Sequence, residues 1–334
     1  MIIEVVKLGF PWITWDPFLF CAYHRDAYPA GNAQLGPDAP LAGRDLGMDF
    51  TLRDGWRMYH GDVVPGFPQH PHRGFETITL ARSGYVDHSD SLGATARFGR
   101  GDAQWMTAGR GIVHAEMFPL VHAGAPNPTE LFQVWLNLPA RSKLVEPYFT
   151  MLWRDRIPRV RFTEQGTVEV VMVAGPLPGR QAPAPPPDSW ASRPEHEVAV
   201  WTLRLAPGAR WMLPAAFGRV NRALYFFRGD SLRIAGRLLA PEVAVRLDPG
   251  QAVALENGEV ESELLLLQGL PVNEPVANYG PFVMNTRQEL QQAFEDYQRG
   301  GFGGWPFDRA DPVHPRDAGR FAIHADGRRE VPPD

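Results

Sequence analysis

From residue 48 to residue 140 the chain is made of short apolar blocks: MDFTLRDG, WRMYHGD, FETITLARSG, ATARFGRGD, AQWMTAGRG and LFQVWLNLP. Gly, Pro, Asp or Asn closes a block about every 8–12 residues, which predicts an all-β sandwich or barrel and leaves no room for the helices of βαβ units. The second half uses the same idiom in VEVVMVAG, VAVWTLRLAPG, RALYFFRGD, SLRIAG, VAVRLDPGQ, AVALENG and SELLLLQG. The halves also correspond internally. In the first, an aromatic-rich strand ends at Ser83-Gly84 and Arg100-Gly101-Asp102 turns the chain into AQWM; in the second, LYFF ends at Arg228-Gly229-Asp230 and Pro249-Gly250-Gln251 turns it into AVAL. Intervals of 17 and 21 residues separate these signals, the trace a duplicated β-barrel leaves behind. One helix is signalled over 286–299. Thr286 and Glu289 form a capping box, Leu290, Ala293, Phe294 and Tyr297 share a face, and Gly300-Gly301 end it.

The boundary between halves is expected within Leu138–Phe149, where a strand-like block gives way to a polar, Pro-containing passage. This divides the chain into 1–140, 141–304 with the helix, and a polar, Pro-rich tail over 305–334. The tract PLPGRQAPAPPPDSW, Pro176 to Trp190, reads as an extended surface loop or linker.

Composition narrows the function classes. The 334 residues are 44% hydrophobic and 21% charged, ordinary globular usage, and Gly plus Pro make about a fifth of the chain, which fits a fold rich in turns. A net charge of −5 with no basic stripe disfavours direct contact with nucleic acid. The one cysteine, Cys21, cannot form an internal disulfide, so a reducing, cytoplasmic setting is expected. Glu4, Lys7 and Asp16 interrupt the apolar opening, and no run of about 18 uncharged apolar residues occurs, so neither a signal peptide nor a membrane span is expected.

The chemistry concentrates in QHPHRGFETITLARSG and, 42 residues after His72, in GRGIVHAEM. His70 and His72 are two apart, so on a strand their imidazoles leave one face; His114 and Glu116 repeat that spacing. One such pair alone is an ordinary half-buried polar face. Two pairs on facing strands of a barrel would bring three imidazoles and a carboxylate together, a set suited to a divalent first-row metal with open positions. The other histidines, His24, His60, His88, His122, His196, His314 and His324, read as surface or packing residues.

The stretch from His70 to Thr77, then His88-Ser89-Asp90-Ser91-Leu92-Gly93, then Gly101 to Met117, closely resembles the pirin family of the cupin superfamily. The resemblance continues through Glu274 to Thr286 and covers most of the chain from about Asp45 to Gly303. It implies an all-β bicupin, two antiparallel jelly-roll barrels packed together, with iron in the N-terminal barrel alone. The implied ligands are His70, His72, His114 and Glu116, holding one divalent ion, Fe(II) by resemblance; manganese, nickel, copper or zinc suits the same donors. Glu76, placed where many cupins carry a ligand, is not assigned to the metal. Arg73 reads as a salt-bridged structural residue, and Trp105 and Met106 as core. The second barrel has Ala215 and Phe217 where the first has its histidine pair, so no metal is expected there. The Pro-rich tract and the tail depart from the family pattern.

Some pirins resemble flavonol dioxygenases, which cleave quercetin with molecular oxygen and release carbon monoxide. The resemblance thus implies a metal-dependent dioxygenase with a small aromatic substrate, Glu116 serving as general base. Other pirins resemble iron-dependent redox sensors that bind a transcription regulator or a metabolic enzyme, and that reading stands as the alternative.

Overall fold

The structure is a computed structural model, described over residues 1–216 and 218–333. The apolar blocks are strands of two compact units. The first comprises Tyr23–Gln133, Leu138–Asp155 and the chain from Glu274 onward; the second comprises Met1–Ala22, Val134–Asn137 and Arg156–Asn273. The chain passes between them inside two long strands, Phe18–Tyr28 and Asn127–Asn137.

In the first unit a five-stranded sheet runs in the order Tyr148–Leu152, Asp102–Thr107, Phe75–Ser83, Asn127–Asn137, Phe18–Tyr28. A six-stranded sheet runs Arg329–Glu330, Phe321–Ile323, Thr95–Gly99, Tyr85–Asp90, Ile112–Met117, Gly66–His72. Their buried side chains, among them Phe98, Met106, Phe149 and Trp153, form one core, and each such side chain contributes about 1.5–3 kcal/mol by leaving water. Ile112–Met117 is buried at every position and Tyr85–Asp90 at all but its first, so their polar residues must find partners inside the protein. The helix Arg287–Gln298 carries both arms of the expected capping box and packs Leu290 and Ala293 against Val113, Phe282 and Phe302.

The second unit repeats the plan. A seven-stranded sheet runs Ile2–Lys7, Val243–Leu247, Asn221–Arg228, Ser262–Gly269, Ala199–Leu205, Val168–Ala174, Arg159–Phe162; a four-stranded sheet runs Arg210–Leu213, Val253–Asn257, Leu232–Ile234, Arg237–Leu239. Leu203, Leu224, Phe226, Leu264 and Leu266 fill the core between them. The two ends of the chain thus complete opposite units: Ile2–Lys7 pairs with Val243–Leu247 in the second, and Phe321–Ile323 with Thr95–Gly99 in the first. Phe217, one of the two positions expected in place of the histidine pair, lies outside the described residues. Among the described residues no helix is long and apolar enough to cross a membrane.

Candidate metal centre

The strands Gly66–His72 and Ile112–Met117 pair antiparallel, and the register sets His70 directly opposite His114. Strand parity puts His72 on the same face, and the three rings converge, with centroids 4.4 Å (His70–His114), 4.8 Å (His70–His72) and 4.9 Å (His72–His114) apart. One nitrogen from each lies within 4.8 Å of the others, the one cluster of three or more metal-ligating side chains among the described residues. Gly74 makes the turn that follows. Its φ of +83° is in the left-handed region, and a Cβ there would sit 2.0 Å from the Val283 carbonyl oxygen, so glycine alone passes the chain from one sheet to the other.

The rings are oriented as metal ligands are. The Nδ1 of His70 faces the Pro68 carbonyl at 2.8 Å and that of His72 faces the Pro281 carbonyl at 3.3 Å, so each Nδ1 donates its proton and each Nε2 keeps a lone pair. His114 is fully buried, and neither of its ring nitrogens has a hydrogen-bond partner. Burial of so polar a ring costs about 1–3 kcal/mol per unmet group, which a coordinated cation would offset. Loss of hydration lowers the His70 pKa to about 4 and takes those of His72 and His114 well below the ordinary value. All three rings are therefore neutral near pH 7, the form that binds a metal. The donor set fits a divalent ion.

Glu116 stands apart from the three-histidine cluster. Its Oε1 accepts from the Thr79 hydroxyl at 2.8 Å and its Oε2 from the Gln133 amide at 3.3 Å, while burial raises its pKa against the pull of these bonds. Glu76 is also outside the cluster and accepts from the Thr107 hydroxyl at 2.7 Å. Arg73 is tied down structurally: its guanidinium reaches Asp296 at 2.7 Å and the Arg110 carbonyl at 2.5 Å, and lies 4.6 Å from the Phe302 ring centre. Met106 is core, and Trp105 is fully buried.

The sequence reading gave no part in the site to His88, Asp90, Thr79, Gln133 or Lys143. His88 is wholly buried, lies directly across the strand pair from Glu116, and has its ring centre 5.6 Å from that of His114. Its Nε2 is 3.0 Å from Asp90 Oδ2, while the other Asp90 oxygen accepts the backbone amides of Leu92 and Ala94. His88-x-Asp90 has the same spacing as the ligand pairs, so the signal was present. Thr79 and Gln133, which hold Glu116, have no such signature.

Lys143 fixes the turn below the histidines. Its buried ammonium donates to the carbonyls of Gly74 at 2.8 Å and Val283 at 3.2 Å, and desolvation lowers its pKa to about 8 despite Glu274 and Glu289. The unfolded chain keeps this proton up to about pH 10.5, so between the two values the unfolded state binds more protons and stability rises with pH. Relative to Lys143→Met, the unaltered chain should therefore gain roughly 1–3 kcal/mol from pH 7 to 10.5, read as a difference between urea midpoints. A difference that stays flat over that interval contradicts the assignment.

Both halves of the chain match known sequences. The Pirin family description matches residues 12–136, and the Pirin C-terminal cupin domain matches residues 200–303. Pirin of Homo sapiens is 35% identical over 257 residues, 75% of this chain and 82% of the human protein. A pirin-like protein of Caulobacter vibrioides is 38% identical over 248 residues, 72% of this chain and 82% of its own length. In shape the chain is similar to a quercetin 2,3-dioxygenase from Acinetobacter baumannii, with a TM-score of 0.70, 25% identity, and coverage of 91% of this chain and 98% of that one. With both cupin halves matched and the histidine cluster inside the first match, the chain belongs to the pirin family.

Proposed function

We propose that this protein is a metal-dependent dioxygenase that acts on flavonol-type, quercetin-like substrates with molecular oxygen. The observation that carries the reading is the convergence of His70, His72 and His114, with the buried carboxylate of Glu116 two residues on from His114 in the same strand and held by Thr79 and Gln133. Similarity to the Acinetobacter quercetin 2,3-dioxygenase supports it.

In this reading His70, His72 and His114 would hold one Fe(II) through nitrogen, with the Glu116 carboxylate, two residues on from His114, as the oxygen donor. A bound divalent ion would supply Lewis acidity, which lowers the pKa of a substrate enol or phenol. The chain does the rest. Thr79 and Gln133 aim the Glu116 carboxylate, which takes the proton of the substrate hydroxyl at a carboxylate oxygen and keeps it out of water. Burial of Ile112–Met117, of Phe75 against the His72 ring and of Phe149 against the His88 ring would keep water from a substrate bound there.

The test is oxygen consumption with quercetin by iron-loaded protein, scored against Glu116→Gln. The amide keeps the shape and the Thr79 contact but cannot take a proton. Turnover should fall by about 10²–10⁴-fold while the three histidines retain the metal. Activity within about threefold of the unaltered protein would remove Glu116 from the chemistry. Absence of oxygen consumption across a panel of flavonols by fully loaded protein would favour the alternative, an iron-dependent redox sensor that binds a protein partner.

A further inference from the structure

A series of rings runs from the surface of the first unit to the histidine cluster. The Phe50 ring centre lies 4.9 Å from that of His60 and 6.4 Å from that of Phe67; His60 lies 5.8 Å from Phe67, and Phe67 lies 6.3 Å from His70. These separations are in the range over which aromatic pairs attract. His72 and His114 are buried and His70 is half-buried, so the series meets the cluster at its one solvent-reached member. His60 is close enough to His70 to act on it electrostatically. Outward from there the rings open to water: Phe67 is half-buried, His60 is exposed, and Phe50 keeps 39% of its surface. Single exposed apolar side chains are ordinary, but Leu46, Met48 and Leu52 are exposed in the same loop, so apolar surface is concentrated here.

The backbone beneath the outer rings is fixed. Asp49 and Tyr59 exchange both main-chain hydrogen bonds, at 2.8 and 2.9 Å, and the Asp49 carboxylate accepts the Met58 amide at 3.0 Å and the Arg44 guanidinium at 2.9 Å. Tyr59 has a φ of +58°, a left-handed conformation that a bulky residue keeps only where its surroundings impose it. Its buried hydroxyl donates to Asp26 at 2.7 Å. Phe50 and His60 are the neighbours of this bonded pair in the chain, so their exposed rings stand on rigid ground. The Nδ1 of neutral His60 donates to the Gly47 carbonyl at 2.7 Å, which leaves Nε2 with its lone pair as an acceptor.

We infer that Phe50, His60 and Phe67 form a specificity subsite for a hydroxylated aryl ring, the ring that a flavonol carries on the carbon next to its enol. The inference rests on the dioxygenase reading, which sets the enol at the histidine cluster. A ring attached beside the enol then extends past His70 and Phe67 toward Phe50, where aromatic faces and edges receive it, and a hydroxyl on it donates to His60 Nε2. The subsite thus favours hydroxylated over bare aryl rings, a choice that the ligand histidines do not make.

Quercetin and galangin differ only in the hydroxyls of that ring. Both are titrated anaerobically into the iron-loaded full chain, with binding read from the flavonol absorbance, so that no turnover enters the measurement. Phe50→Ala should weaken both by about two- to tenfold, the loss of one aromatic pair. His60→Leu should weaken quercetin by about two- to tenfold, the loss of one neutral hydrogen bond, and should cost galangin much less. Each variant should hold as much iron as the unaltered chain by elemental analysis. Equal losses of quercetin and galangin in His60→Leu, unchanged affinities in Phe50→Ala, or loss of iron from either variant overturns the subsite, as does an unaltered chain that does not bind quercetin. Oxygen consumption by the unaltered chain judges the dioxygenase reading separately. The expected losses without oxygen consumption leave the subsite standing and remove that reading; oxygen consumption with variants that bind as the unaltered chain does removes the subsite alone.

Discussion

Replacing His114 by leucine should leave the metal-free protein at least as stable as the unaltered chain and yet abolish metal loading and turnover. The two effects separate because of what His114 touches. It is fully buried and neither ring nitrogen is hydrogen-bonded, so the substitution breaks no hydrogen bond within the protein. It exchanges a polar ring with two unmet groups for an apolar side chain of similar size, a change that core packing tolerates at a cost below about 1.5 kcal/mol and that recovers about 1–3 kcal/mol for each group no longer buried unmet. Loss of a direct ligand, by contrast, removes more than the 10–100-fold in metal affinity that follows loss of a group merely supporting one. Thermal melts with and without added Fe(II), beside elemental analysis, read both. The unaltered protein should gain about 2.7 kcal/mol at a metal concentration 100 times the dissociation constant, and His114→Leu should gain nothing. A variant that loads metal normally, or one that unfolds without metal where the unaltered chain does not, would show that His114 is a packing residue.

The candidate ligands were legible because parity along a strand is rigid: residues two apart share a face, and His70, His72 and His114 satisfy that rule whatever the surroundings. Parity does not measure reach. It places Glu116 on the face of His114 without saying that Thr79 and Gln133, from two strands of the other sheet, hold its oxygens. The helix was legible for a similar reason, since Thr286 and Glu289 cap it through contacts three residues apart. Of the two readings the sequence left for His88, surface or packing, the structure has the buried one: all of YVDHSD after the first residue is buried, because Asp87, His88 and Asp90 find partners on Arg97, on one another and on backbone amides, contacts that strand spacing does not encode. The strand Phe321–Ile323 was invisible in the tail. Three residues carry no periodicity, and their place is fixed by a partner more than 200 residues earlier.

That partner introduces the largest expected loss of stability. Arg97→Met should destabilise the protein by about 3–5 kcal/mol, a fall in melting temperature of roughly 10 °C for a unit of this size. The Arg97 guanidinium meets both oxygens of Asp87 at 2.7 Å, with 1% and 0% of the two side chains exposed. It also donates to the carbonyls of Pro315 at 2.6 Å and His314 at 2.9 Å, and Asp87 accepts the His314 amide at 2.8 Å. The pair thus pins the segment that leads into Phe321–Ile323. Removing the arginine strands a buried carboxylate, and that uncompensated charge, more than the lost contact, sets the size of the effect. Removing both charges should accordingly cost less: Asp87→Leu with Arg97→Met should be more stable than the sum of the single losses by about 1–3 kcal/mol, the coupling of residues that share one network. Limited proteolysis supplies a second reading, because every variant that loses Arg97 also loses the bonds to residues 314 and 315 and should be cut in the tail before the rest of the unit unfolds. Additive losses in the double variant would mean that the two side chains act separately. A tail that stays protected in Arg97→Met would mean that the strand pairing of Phe321–Ile323 with Thr95–Gly99 holds it without the ion pair.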